Sequence, residues 1–331
     1  MIARKNTSEG TDGGDLLSGE LSLDAFQALL SERGAWRALL HDERALEQFI
    51  DKCRSVANEA ERLEGELKEL QLVHDSIIEH ATSIENELEA RSRIISEDLA
   101  IAQEVQRALL PERGGPLAAH MEIAIYHRQL SEVGGDYYDF FTLPGDRYAV
   151  GVYDISGHGV SSALIMSFLK AQFASATKRL SSPAEIFDWV NHASLSFLRQ
   201  VRRYATVNFV VFSDHMLRYV SGGGYGLLLH RGTARTFNRT GNFIGLRNKP
   251  FREFDLPFEQ GDLLALYTDG VPEAQGANGE SYSVQRVNDM IVQHSDEPVQ
   301  TILDRCIEDY TKFRVADADD ITLLILRRGV Q

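Results

Sequence analysis

A heptad-like spacing of apolar residues is the feature that most restricts how this chain folds. Steps that alternate between three and four residues, from Cys53 to Leu109, give 17 positions, of which 14 are apolar. No proline interrupts the stretch before Pro111. A 3.5-residue period held this long predicts a left-handed coiled coil, most simply of two identical chains. The alternative, a long amphipathic helix packed on its own domain, is awkward because the helix would be about 85 Å long.

Two charged residues interrupt this seam near its end. Arg91 and Asp98 fall on seam positions, close to further apolar residues at Ile94, Leu99 and Ile101. A second register is therefore open in this part of the helix. The sequence predicts a helix with two packings of similar energy, which is the property that a conformational switch requires.

Charge and composition narrow the functional class. The net charge of −15 argues against nucleic acid as a partner, because phosphate repels such a surface. No apolar run approaches the roughly 18 residues that cross a bilayer, and the N-terminus has no apolar signal segment. The two cysteines are far apart in sequence, which excludes a disulfide framework. These properties predict a cytoplasmic protein that binds neither nucleic acid nor membrane.

A change in composition near Pro111 divides the chain. Residues 1–110 carry 23 Asp plus Glu against 12 Lys plus Arg, whereas the remaining 221 residues carry 26 against 22. We predict a disordered tail over 1–20, a helical regulatory segment over 21–110 with the coiled coil at about 53–109, and a second domain over 111–331.

After Pro111 the hydrophobic period changes to two, which is typical of strands. Helical patterns interrupt the strands at 160–178, 183–201 and 298–312, so the second domain is predicted to be α+β, with sheets inside and helices outside. The predicted strands are 121–127, 147–153, 205–213, 217–220, 226–230, 234–237, 251–256, 263–267 and 321–326.

Several carboxylates stand at strand ends or in glycine-flanked turns, where solvated surface residues are not expected. If they converge, they repel one another unless cations bind between them. Oxygen ligands without His or Cys favour Mg²⁺ or Mn²⁺ over zinc. Spacing alone leaves open whether they form a metal centre or ordinary acidic loops. The residues are Asp136, Asp154, Asp269 and the Asp319–Asp320 pair.

Five segments carry a family resemblance, and they cover residues from about 100 to 327. In kind and order they resemble the SpoIIE-like branch of the metal-dependent protein serine/threonine phosphatases (PPM family), and within it the RsbU-like phosphatases that regulate alternative sigma factors. The segments are IAQEVQRALLPE at 101–112, SEVGGDYYDFF at 131–141, VYDISGHGVSSALIM at 152–166, GDLLALYTDGVPEA at 261–274 and DDITLLIL at 319–326.

The resemblance implies an α/β/β/α sandwich with two Mn²⁺ or Mg²⁺ ions at one end of the sheets. It implies that Asp154 bridges both ions and that the Ile155 carbonyl helps to hold the second. Asp269 and Asp319 would hold the first ion. Asp136 would act in the cluster directly or through water. His158, between two glycines, is interpreted as a structural or peripheral residue rather than a general acid.

The implied reaction is hydrolysis of phosphoserine or phosphothreonine on a partner protein, typically an anti-sigma-factor antagonist. A water activated by the two metal ions would attack, without a covalent phosphoenzyme. The coiled coil predicts a homodimer and a segment on which an upstream regulator protein can act. The alternative is a catalytically silent scaffold that binds a partner through the coiled coil, and the complete carboxylate set weighs against it.

Overall fold

The computed structural model describes residues 41–111, 114–237, 242–317 and 319–329. Contacts divide the chain into two units, one up to Ser92 and one from Arg93 onward. The tail predicted over 1–20 lies outside the described residues, as does most of the segment that precedes the predicted coiled coil. The domain boundary near Pro111 stays a prediction.

One continuous helix, α1 (Glu43–Leu109), contains the whole predicted coiled-coil segment. Asp42 precedes it, and its Oδ1 accepts hydrogen bonds from the first free backbone N–H groups of the helix. In the first unit the apolar seam is uncovered: Leu67 is 57% exposed, Leu70 72% and Leu88 61%. This is the surface that one strand of a coiled coil presents, and the pairing itself stays a prediction.

The last turns of α1 belong to the second unit, and they correct one position of the predicted seam. Leu109 was predicted to face another helix. It packs instead, with Leu110, against the buried core of the second unit, because that core removes its side chain from water. Val105, one turn earlier, is 58% exposed. The uncovered seam therefore ends at Val105.

Among its described residues, the second unit contains two antiparallel sheets and four further α-helices. The helices are α2 (Val160–Thr177), α3 (Pro183–Gln200), α4 (Val284–Gln293) and α5 (Val299–Phe313). A short 3₁₀ helix spans Gly115–Ala119. The strands are β1 (Met121–Arg128), β2 (Tyr137–Leu143), β3 (Arg147–Ile155), β4 (Ala205–Phe212), β5 (Met216–Ser221), β6 (Tyr225–His230), β7 (Thr233–Phe237), β8 (Glu253–Pro257), β9 (Leu263–Tyr267) and β10 (Ile321–Arg328).

These elements form four layers. The first sheet has the order β2-β3-β4-β5-β8, and the second has the order β1-β10-β9-β6-β7. One buried cluster joins the first sheet to α2 and α3, a second joins the other sheet to α4 and α5, and a third lies between the sheets. The arrangement confirms the α+β class and the α/β/β/α sandwich.

Two elements are missing from the sequence-based prediction. Strand β2 is buried on both faces over most of its length, so its residues do not alternate between apolar and polar. Helix α4 is short, and only Val287, Asn288 and Ile291 are buried on it. Both were hidden because their hydrophobic patterns are brief or continuous rather than periodic.

Within the described ranges, every helix falls short of the combination of length and apolar character that crossing a bilayer requires.

Candidate functional site

The register of the first sheet places two of the predicted carboxylates side by side. Strands β2 and β3 are antiparallel, and Tyr137 lies opposite Tyr153. Asp136 immediately precedes β2, and Asp154 is the last residue but one of β3. The start of one strand and the end of the next therefore bring the two carboxylates to the same edge, and the charge of Asp154 acts on Asp136.

The second sheet does the same for the other predicted carboxylates. Strands β9 and β10 are antiparallel, and Leu323 lies opposite Tyr267. Asp269 follows β9, and Asp319 and Asp320 precede β10. The charge of Asp320 also acts on the pKa of Asp136 across the two sheets. All four predicted carboxylates thus lie at one end of the sandwich.

Asp136 is buried, at 3% exposure. Its Oδ2 accepts hydrogen bonds from the hydroxyls of Thr268 and Thr322, each at 2.8 Å. Burial raises the pKa of Asp136 well above its ordinary value, and the nearby charges of Asp154 and Asp320 raise it further. The two hydroxyl bonds oppose this shift, because they favour the carboxylate form.

A chain of hydrogen bonds continues from Asp136 into the core. The backbone N–H of Thr322 donates to Thr268 Oγ1 at 2.9 Å, and His127 Nδ1 lies 2.9 Å from Thr322 Oγ1. Since the Thr322 hydroxyl donates to Asp136, His127 Nδ1 carries the proton and donates in turn. Burial lowers the pKa of His127 to about 4, so its ring is neutral at neutral pH.

Asp320, selected from the sequence together with Asp319 but given no separate role, anchors the loop that carries Asp136. Its Oδ1 accepts from the backbone N–H of Leu130 at 2.8 Å, and its Oδ2 accepts from those of Gly135 at 2.7 Å and Asp136 at 3.3 Å. A Cβ at Gly134 would lie 2.2 Å from Asp320 Oδ2, so this position requires glycine. Asp320 therefore organises the loop that carries Asp136.

The end of β3 has the contacts expected of a second ligand group. Thr206 lies on the neighbouring strand β4, and its Oγ1 donates to Asp154 Oδ2 at 3.0 Å. This hydrogen bond fixes the orientation of the Asp154 carboxylate. Ile155 is buried, and a Cβ at Gly135 would lie 2.7 Å from its carbonyl oxygen. The absence of a side chain at Gly135 thus lets the loop before β2 lie directly against the Ile155 carbonyl.

Asp319 stands at the outer side of the group. The residue is exposed, yet partial enclosure by surrounding atoms raises its pKa, and the charges of Asp269 and Asp320 add to this. The backbone N–H of Asp320 donates to Asp319 Oδ1 at 2.8 Å, and this hydrogen bond lowers the pKa of Asp319. His158 is exposed and lies close enough to lower the pKa of Asp319, so it borders the site.

The donor set is made of oxygen atoms that repel one another. Across the part of the chain that the structure describes, no three carboxylate, imidazole or thiolate side chains form a group that could hold an ion by themselves. Mg²⁺ does not need such a cage, because it usually keeps several waters and binds through one or two carboxylates. The carboxylates and the Ile155 carbonyl therefore fit hydrated Mg²⁺ or Mn²⁺ ions rather than zinc.

The comparisons with known proteins decide the family. Residues 144–329 match the family model described as Stage II sporulation protein E (SpoIIE), which is more than half of the chain. This chain belongs to the SpoIIE family. The resemblance predicted from the five ordered motifs is confirmed.

Relatives of this SpoIIE-family chain include two phosphatases of Bacillus subtilis (strain 168). The chain is 26% identical to phosphoserine phosphatase RsbU over 249 residues, which cover 71% of each protein. It is 25% identical to phosphoserine phosphatase RsbP, and the match covers 63% of this chain but only 52% of RsbP. Among solved structures, the SiaA-PP2C domain of Pseudomonas aeruginosa superposes with a TM-score of 0.64 at 26% identity, covering 72% of this chain and 98% of that domain.

Proposed function

We propose that this SpoIIE-family chain is a Mn²⁺- or Mg²⁺-dependent protein serine/threonine phosphatase. The observation that carries the proposal is the convergence of Asp136, Asp154, Asp269 and Asp319 at one end of the sandwich. Similarity to RsbU and RsbP, both named phosphoserine phosphatases, supports the reaction. The proposed substrate is phosphoserine or phosphothreonine on an anti-sigma-factor antagonist, and the proposed location is therefore the cytoplasm.

The roles of the residues follow the family resemblance. Asp154 would bridge the two ions, with the Ile155 carbonyl at the second and Asp269 and Asp319 at the first. When bound, the ions supply positive charge that activates a water and neutralises phosphate oxygens. Asp136 would complete the site directly or through water, held in place by its two threonine hydroxyl donors.

The burial of Asp136 supports the proposal that cations bind at this end of the sandwich. Its pKa is raised by burial and by two neighbouring carboxylates, so the ionised form is costly without a compensating positive charge. The hydroxyl groups of Thr268 and Thr322 favour the ionised form and occupy Oδ2. The two threonine hydroxyls thus hold the Asp136 carboxylate in a fixed position, and a divalent ion would offset its negative charge.

We further propose that α1 joins two chains and carries regulation to the phosphatase domain, with the division of the chain into 21–110 and 111–331 as predicted. The uncovered apolar seam supports the homodimer.

Two sets of apolar residues support two registers of this pairing, since the neighbouring residues Ile94 and Ile95 are 60% and 59% exposed. Arg91 pairs with Glu87 on its own helix at 2.6 Å, so no partner helix is needed to hold its charge. An upstream regulator protein would act by favouring one register.

Phosphate release from a phosphorylated antagonist tests the function. The purified full chain is incubated with phosphorylated candidate antagonists encoded nearby, with Mn²⁺ or with EDTA, and loss of phosphoserine is followed by mass spectrometry. We expect hydrolysis only with the metal. A candidate that binds without losing phosphate, together with no hydrolysis of p-nitrophenyl phosphate, would identify a silent scaffold instead.

A further inference from the structure

One buried polar side chain connects the end of α1 to the loop that carries Asp136. Gln106 is only 4% exposed, although its neighbours Val105 and Arg107 are both exposed. Its Nε2 donates to the Gly134 carbonyl at 2.7 Å, and its Oε1 accepts from the Gly134 N–H at 3.1 Å. Gln129 Nε2 donates to the same Oε1 at 2.7 Å. The Gln106 amide therefore satisfies both backbone groups of Gly134.

The loop between β1 and β2 depends on this contact because it has no helix or strand of its own. From the other side, the Asp320 carboxylate accepts the N–H groups of Leu130, Gly135 and Asp136. Gly134, which has no side chain with which to pack, stands between these two anchors. Asp136 follows it by two residues, so the position of this carboxylate depends on both anchors.

We propose that Gln106 is a positioning residue for Asp136, which sets the metal affinity of the site by holding the Gly134 turn. The inference rests on the proposed metal-dependent function. It assigns Gln106 no contact with substrate or metal, since its three bonds go to Gly134 and Gln129.

The position of Gln106 also gives the helix a means of acting on the site. Val105 lies on the uncovered seam, and successive helix residues are about 100° apart around the axis. A rotation of α1 that moves Val105 within a paired seam therefore moves Gln106 against Gly134. A buried polar contact tolerates such movement poorly, because its groups lose their partners away from water.

The variant Gln106→Glu tests the proposal with a minimal change. It keeps the shape of the side chain and one acceptor oxygen, but it replaces the N–H donor to the Gly134 carbonyl by an oxygen that repels it. Gln103→Glu is the matched control, because Gln103 lies one turn earlier on α1, is half-buried and makes no side-chain hydrogen bond among the described residues. Both variants add the same charge to the same helix.

Two measurements on the full chain separate positioning from stability. The first is the Mn²⁺ concentration that half-saturates p-nitrophenyl phosphate hydrolysis. We expect Gln106→Glu to raise it about 10- to 100-fold, the usual effect of disturbing a residue that orients a metal ligand, and to change the rate at saturating Mn²⁺ much less. The second is amide hydrogen exchange of residues 130–136 without metal, which should become faster in Gln106→Glu only.

Each outcome decides the matter. Unchanged Mn²⁺ dependence and unchanged exchange in Gln106→Glu would overturn the proposal, as would an equal effect of Gln103→Glu. If Gln106→Glu does not fold, Gln129→Leu removes only the bond that orients the Gln106 amide, and it should shift Mn²⁺ dependence in the same direction by less. A folded Gln129→Leu with wild-type Mn²⁺ binding also overturns it. If the wild-type chain binds Mn²⁺ but hydrolyses nothing, the proposed function fails, and calorimetric Mn²⁺ affinity and exchange still test Gln106.

Discussion

The two ends of α1 are both helical, but one end exposes apolar side chains and the other buries a polar one. In the first unit, apolar side chains such as Leu70 and Ile77 are 72% and 62% exposed. In the last turns, the polar Gln106 is buried and Leu109 packs against the core. Exposed apolar surface and buried polar groups are the departures from the usual pattern that carry information. The first is the surface on which pairing is proposed, and the second is where the helix contacts the core of the second unit.

The largest expected effect comes from the carboxylates, to which the proposed function gives the chemistry. Asp154→Asn should lower hydrolysis of p-nitrophenyl phosphate at saturating Mn²⁺ by at least roughly a hundredfold, because both ions would lose a ligand. Asp255→Asn is the control, since Asp255 is an exposed partner of Arg218 on β8, the edge strand on the opposite side of the sheet from β2. Wild-type turnover in Asp154→Asn would remove this residue from the site.

A smaller effect on stability is expected from His127, which lies behind the site. The pKa of His127 is about 4 in the folded chain, against 6.5 ordinarily, so the unfolded chain takes up the proton first as the pH falls. Its contribution to the free energy of unfolding is complete above pH 6.5 and declines towards pH 4, by up to about 3 kcal/mol. Urea unfolding at pH 7, 5.5 and 4.5 measures this. His127→Gln should lose that part of the decline, and an equally steep decline in the variant would contradict the assignment.

Truncation compares the two parts of α1 directly. Removing residues 1–92 should turn a dimer into a monomer in light scattering, while the melting temperature of the remainder changes by no more than about 2 °C, because that unit has its own core. Removing residues 1–110 should lower the melting temperature by several degrees more, because Gln106, Leu109 and Leu110 are lost. A dimer that persists without residues 1–92 would exclude the seam as the interface.

The smallest effect is expected where the seam carries charge. Replacing Arg91 and Asp98 by Leu removes one exposed ion pair, Arg91 with Glu87, which contributes only a few tenths of a kcal/mol. The variant should form a more stable dimer, with basal activity fixed high or low within several-fold of wild type and no longer responsive to the regulator. Wild-type basal activity and a wild-type response in a more stable dimer would reduce the coiled coil to a tether.

The strands with local patterns could be predicted, and the others could not. Strand β9 was predicted over the residues that it occupies, because LLALY is a short apolar run bounded by polar residues and a turn. Strand β2 was not, because it is buried on both faces and its apolar residues do not alternate with polar ones. The carboxylate within it, Asp139, is buried too and accepts from Lys170 and Tyr137, and no local pattern in the sequence indicates these contacts.

The site shows the same division between local and distant information. The carboxylates were selected from strand ends and adjacent glycines, which are local features. Gln106 and Thr322 were missed, and Asp320 was given no role of its own, because their roles depend on partners far away in sequence. Gln106 bonds 28 residues away, Asp320 bonds 185 residues away to Gly135, and Thr322 bonds 186 residues away to Asp136. Each stands inside a motif that was quoted for its resemblance, and nothing in the spacing of the motifs gives their distance in space.

The position of β10 has a consequence for how the protein is made. This strand comes last in the chain order of the sheets, yet it lies inside its sheet between β1 and β9 and directly follows Asp319 and Asp320. Translation proceeds from the N-terminus, so α1 emerges first and is free to associate before the sandwich can close. The carboxylates at this end of the sandwich come together only when β10 inserts, so under the proposed function two chains would pair through α1 before either one hydrolyses a phosphoprotein.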